Sequence, residues 1–195
     1  MNEILELEIA LRGFKPKIFR RVLVPKDFNF HQLHYVIQFA MGWANSHLYQ
    51  FEVGRGDYIG IPDPENYMDV RDGRKLKISS LLSEPKNKVI YEYDFGDSWE
   101  HDVVVKKVHA AEPGKKYPVL IAGKMACPPE DCGGVWGYTE LLETLNNPKS
   151  EDYEDMFDWV GGEWDAEAFD ADDVNLGFFK NFDKNVKTFD SFRGY

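Results

Sequence analysis

Val89-Ile90-Tyr91-Glu92-Tyr93-Asp94-Phe95-Gly96-Asp97-Ser98-Trp99-Glu100-His101-Asp102-Val103-Val104-Val105 is the stretch on which the fold turns. Residues 89–95 and 99–108 read as two strands, because their side chains alternate with the period of two that a half-buried strand requires. Gly96-Asp97 between them is a hairpin signal, so the two strands are expected to be antiparallel neighbours. Alternation on the second strand places Trp99, His101, Val103 and Val105 on one face. His101 therefore points with apolar neighbours, away from Glu100 and Asp102.

Working towards the N-terminus, residues 47–53 repeat the strand pattern, and an irregular Pro/Asp/Gly-rich loop is expected over residues 54–73. Between residues 30 and 42 the period changes, with Leu33, Val36, Ile37, Ala40 and Met41 at helical spacing. Asn29 is a good N-cap with Gln32 three residues on, and Gly42 is a good stop. Residues 18–24 read as a strand, and Leu5, Leu7, Ile9 and Leu11 alternate with Glu6, Glu8 and Ala10 as another.

Towards the C-terminus, the Gly/Pro/Cys-rich residues 123–137 separate this strand-like body from helical spacing. Tyr138, Leu141, Leu142 and Leu145 predict a helix that stops near Asn147-Pro148, since the residue before proline avoids the α region. A second helix follows Ser150, with Glu151, Asp152, Glu154 and Asp155 on its solvated face near the positive end of its dipole. Tyr153, Met156, Phe157 and Val160 are its expected buried stripe. A short third helix is expected at residues 166–174, with an extended or loosely packed tail over residues 180–195. The predicted class is α+β, a mostly antiparallel sheet with one N-terminal helix and two or three C-terminal helices. One domain over residues 1–177 and a tail over 178–195 are expected.

The chain has 195 residues, 43% hydrophobic and 29% charged. A domain of this size buries roughly 70% of its unfolded surface and needs no staples. Trp, Tyr and Phe number 5, 10 and 14, which argues against disorder. Net charge is −11, against a protein that coats nucleic acid or anionic membrane. The charge is uneven: residues 130–195 hold 17 acidic and 5 basic side chains, net −12, leaving +1 for residues 1–129. No run of 18 apolar residues occurs, and Met1-Asn2-Glu3 does not open a signal peptide. With Cys127 and Cys132 the only cysteines, a disulfide scaffold is excluded, and the reading is a soluble cytoplasmic protein without membrane partners.

Chemistry concentrates in two blocks, residues 91–101 and residues 126–134. His101 on its apolar face reads first as a satisfied core histidine, with metal ligand and proton carrier as the alternatives. Cys127 and Cys132 sit in a loop stiffened by Pro128 and Pro129. They read as reduced thiols, as a reversible disulfide, or as half of a zinc site completed by His101 and His47, with Glu130 and Asp131 as adjacent carboxylates. Asp94, Asp97, Glu130 and Asp131 suit a hard cation if they converge, while Asp94 and Asp97 suit local turns. Lys15, Lys17, Arg20 and Arg21, and again Arg71, Arg74, Lys75 and Lys77, would grip phosphates only if the two groups met on one face; a solvated surface is the expected reading. Asp94-Phe95-Gly96 lacks every other kinase motif, and no GxSxG, HExxH, Walker or GxGxxG pattern is present.

These blocks, together with residues 12–21, Leu33-His34, Gly42-Trp43, residues 46–49 and residues 165–170, resemble the plasmid pRi Orf-three-like domain family, whose members include passenger proteins of insertion elements. The resemblance implies a single α+β domain associated with plasmids or mobile elements. It implies no agreed activity, and no catalytic residues carry over. Relatives often have a further Cys shortly before the Cys-Pro-Pro block, where this chain reads Val119-Leu120-Ile121-Ala122-Gly123, so an all-sulfur metal site is weakened and a mixed Cys/His one is not.

The leading functional expectation is an accessory binding domain with a protein partner, docking on a rim formed by Asp94, Asp97, Trp99, His101, Glu130 and Asp131. From a different class comes a metal-dependent hydrolase or nuclease using His101 with Asp94, Asp97, Glu130 or Asp131. DNA binding is the third, opposed by the net charge.

Overall fold

The computed structural model describes residues 3–63 and 69–192, the last five of these as backbone alone. Strands β6 (Lys88–Tyr93) and β7 (Trp99–Ala110) form the expected hairpin, with Tyr93 opposite Trp99 and Tyr91 opposite His101. The turn is wider than Gly96-Asp97 alone. Asp94 and Ser98 both take positive φ, so residues 94–98 form a five-residue loop. Asp94 Oδ1 accepts the Gly96 N–H at 2.9 Å, the Asx turn that suits a short carboxylate.

The hairpin lies at the centre of one eight-stranded sheet. On one side β7 pairs with β1 (Glu3–Leu11), β1 with β2 (Phe19–Pro25), and β2 with β8 (Val119–Lys124). On the other, β6 pairs with β3 (Tyr49–Gly54), β3 with β4 (Asp57–Gly60), and β4 with β5 (Val70–Asp72). Among the described strands, the β4–β5 pair alone is parallel. Residues 54–73, expected as irregular loop, therefore contain β4 and β5; residues 64–68 lie outside the described residues.

Helix α1 (Phe30–Met41) has the predicted limits for the predicted reasons: Asn29 and Gln32 close a reciprocal capping box, and Gly42 ends the helix at φ 83°. Its apolar stripe is wholly buried with Leu5, Leu7 and Ile9 of β1 in one core. The polar side of β1 is covered too. Glu6 is buried against Arg21 and His109, and Glu8 binds Lys17 and Arg21 at 2.8 and 2.7 Å.

Three helices follow the sheet: α2 (Gly134–Leu145), α3 (Tyr153–Trp159) and α4 (Ala171–Phe192). The stripe expected to bury α3 is half-buried, and Glu154 and Asp155 are solvated as expected. The third helix is the larger correction, starting five residues later than predicted and running on through Gly177 across residues expected to be extended. Phe178 and Phe182 are buried against Phe39, and Phe182 stacks on Phe28. Asn175 accepts the Leu120 N–H and donates to the Leu120 carbonyl at 2.8 and 2.9 Å, so α4 covers part of the β8 edge that would otherwise stand open. Among the described residues, no helix is long and apolar enough to cross a membrane.

Candidate functional site

Three loops meet at one end of the central strands: residues 94–98 of the hairpin, residues 42–48 between α1 and β3, and the Cys-Pro-Pro loop, residues 126–133. Glu130 ties the last two together by accepting the Ala44 N–H at 2.9 Å and the Tyr93 hydroxyl. Tyr93 in turn accepts the N–H groups of Ser46 and His47 at 2.9 and 3.2 Å. Trp43 donates its indole N–H to the Pro128 carbonyl at 2.9 Å and lies over the Tyr93 ring, 5.0 Å between centroids. Asp97 accepts the Gly133 N–H at 3.1 Å. Gly134 sits so close to Asp97 that a Cβ there would run into the Asp97 carbonyl oxygen, and its φ of +69° also favours glycine. Burial and the Glu130 carboxylate both push the Tyr93 phenol above its ordinary range, so it stays a donor.

This convergence brings His47, Asp94 and Asp131 together, one ligand atom from each within 4.8 Å of the others. Asp94 Oδ2 is 3.7 Å from His47 Nδ1, and Asp131 Oδ1 is 3.0 Å from His47 Nε2. The second contact is off the hydrogen-bond axis, so His47 Nε2 is buried without a hydrogen-bond partner. Both aspartates hold left-handed backbone, φ 57° and 61°, which Asp tolerates better than most residues. One imidazole and two carboxylates are a donor set that can hold a divalent cation, with positions to spare.

The residues singled out from sequence divide. Asp94 and Asp131 gather with His47, while Asp97 and Glu130 accept backbone N–H groups of the neighbouring loops. Trp99 and His101, expected on the same rim, are buried beneath it with 0% and 1% exposure and offer no surface to a partner. His101 gives Nδ1 to the Trp99 carbonyl at 2.9 Å, and burial holds it neutral, its pKa lowered to about 4. It faces Trp43 and Tyr91 rather than the carboxylates that the hydrolase reading pairs it with.

Nor do the thiols join His47 and His101. Among the described residues, the group that gathers three metal-type donors is His47, Asp94 and Asp131. Cys127 is buried between Arg20 Nη2 at 3.2 Å and Met41 Sδ at 2.9 Å, and both cysteines are free. Burial raises the Cys127 thiol to about 11 against the pull of Arg20, and burial with Asp97 raises Cys132 to about 12. Neither is a ready thiolate.

Sequence reasoning also missed Arg20, which it placed on a basic surface. The guanidinium is 4% exposed, bonded to the carbonyls of Phe19, Ala40, Lys124 and Met125, and lies 4.6 Å from the centroid of the Phe169 ring. The remaining basic residues are largely paired: Lys17 and Arg21 with Glu8, Arg71 with Asp57, Arg74 and Lys75 with Asp72. The two basic groups sit towards opposite ends of the sheet, around β2 and β5.

Leu48, Phe95 and Trp136, exposed at 54%, 47% and 84%, belong to the converging loops and the first turn of α2.

The chain is 37% identical over 174 residues to the uncharacterized protein y4hQ of Sinorhizobium fredii, covering 88% of this chain and 89% of that one. It also matches the crystal structure of MM3350, a protein of unknown function from Methanosarcina mazei, with 38% identity and a TM-score of 0.81 over 89% of this chain and 97% of that one. The family model for the plasmid pRiA4b ORF-3-like protein spans residues 3–173, including every loop of the rim, and the chain belongs to that family.

Proposed function

We propose that this chain is an accessory binding domain whose rim holds one zinc ion through His47, Asp94 and Asp131 and presents it, with Leu48, Phe95 and Trp136 around it, to a protein partner. The observation that carries this reading is the convergence of the three donors from three separate loops. Zinc suits them because it accepts imidazole nitrogen and carboxylate oxygen at about 2.0–2.2 Å. A small closure of the loops would bring the donors to that distance. Three protein ligands leave a fourth position for water or for a partner's side chain.

Calorimetric titration of zinc into tag-free protein is the test. About one zinc per chain is expected to bind, with His47→Ala weakening it at least tenfold and Cys132→Ser leaving it unchanged. Binding that survives His47→Ala, or that disappears with Cys132→Ser, overturns the assignment.

A further inference from the structure

Beside the rim lies a cleft of about 590 Å³ that the cation cluster does not use. Trp43 and Trp164 supply aromatic walls beside the Phe169 ring, one face of which already holds the Arg20 guanidinium, and Glu130, Asp170 and Asp173 supply carboxylates. Among the described residues, the one cation lining it is Arg20, whose donors are already engaged. Nε donates to Ala40, Nη1 to Phe19 and Lys124, and Nη2 to Met125 and Cys127, which uses all five N–H groups. An anionic guest would meet three carboxylates and no free guanidinium donor. A cationic guest meets carboxylates and aromatic rings together, the pairing that favours a desolvated ammonium or guanidinium. Asp170 has one oxygen to offer, since Oδ1 alone receives the N–H groups of Asp172 and Asp173 at 2.8 and 3.3 Å.

We infer that this cleft receives a lysine or arginine side chain from the protein partner, an inference that rests on the partner reading above but not on the zinc. Glu130 belongs to both places, lining the cleft and clamping the rim. An extended segment crossing that boundary can therefore set a basic side chain in the cleft and an apolar one against the rim. The net −12 of residues 130–195 draws such a segment in.

Fluorescence anisotropy with labelled ten-residue peptides of alternating Leu and Lys, Leu and Arg, Leu and acetyl-lysine, or Leu and Glu tests this. The Lys and Arg peptides are expected to bind at least tenfold more tightly than the other two. The double variant Asp170→Asn/Asp173→Asn is expected to lose at least fivefold for the Lys peptide while remaining folded, because Asn caps a helix as well as Asp does. Asp152→Asn/Asp155→Asn, which removes the same charge from exposed positions at α3, is expected to lose less than twofold. Equal losses in the two double variants would reduce the effect to diffuse attraction and overturn the inference. So would equal binding of the acetyl-lysine peptide, or butylammonium binding as tightly as the peptide. Affinity for the Lys peptide is read in chelator-treated protein, and zinc is titrated into that same protein separately, which distinguishes failure of the zinc site from failure of the cleft.

Discussion

His34 and His101 are enclosed in the core, and burial holds both below the ordinary histidine pKa, with the neighbouring His31 adding to the effect at His34. His34 is not idle there: it lies flat on Tyr49, 3.6 Å between centroids, and binds the Tyr91 hydroxyl and Asn45 at 2.8 Å each. A histidine kept neutral in the fold takes up its proton only on unfolding. Below about pH 6.5 the unfolded chain therefore binds more protons, and stability falls as pH falls towards the folded pKa. For His101, lowered to about 4, this amounts to about 2 kcal/mol between pH 7 and pH 5. Denaturant unfolding at the two pH values should show at least that loss in the wild type and a smaller one in His101→Leu. An unchanged pH dependence in the variant would mean that His101 is not the buried neutral group described. Glu8 acts lower on the scale: burial works to raise its pKa, but Lys17 and Arg21 override it and hold it at about 2, so its contribution drains away from about pH 4.5 downwards.

At the scale of elements, Gly134 is where the Cys-Pro-Pro loop is fixed to the hairpin. Gly134→Ala brings both a left-handed backbone penalty and a clash with the Asp97 carbonyl, so it should cost about 2 kcal/mol or more in thermal or denaturant unfolding. The same variant should bind zinc more weakly, because Asp131 rides on that loop; full stability and full affinity would show that the loops do not depend on this contact. Legibility differed among the elements for physical reasons. Helix α1 was readable because Asn29, Gln32 and Gly42 are local signals that act within a few residues. Strands β4 and β5, of four and three residues, are too short for alternation to emerge, and β8 runs Val119-Leu120-Ile121-Ala122 with no alternation to read. Helix α4 was expected to end at residue 174, whereas in the fold Gly177 faces Phe39 and Phe178 and Phe182 anchor the chain beyond it. The rim was half legible. Its two blocks stood out by their density of Gly, Pro, Trp and acids, but Tyr93 reaching Glu130 and His47 reaching Asp131 are pairings across the fold that no local period encodes.

For the whole molecule, the sheet order decides which chemistry is brought together. It separates the basic residues of β2 from those of β5 by the width of the sheet, and most of them face carboxylates of their own. It gathers the ends of α1, β6 and β8 into one rim, beside the acidic C-terminal third. The family model spans residues 3–173, so the loops of the rim and the cleft carboxylates Glu130, Asp170 and Asp173 fall within the part of the chain that the family covers. X-ray absorption at the zinc edge of the zinc-loaded chain tests the central claim most directly, since it distinguishes light donors from sulfur. The account predicts a first shell of nitrogen and oxygen at about 2.0–2.2 Å with no sulfur; two sulfurs at about 2.3 Å would place the ion on Cys127 and Cys132 and contradict it.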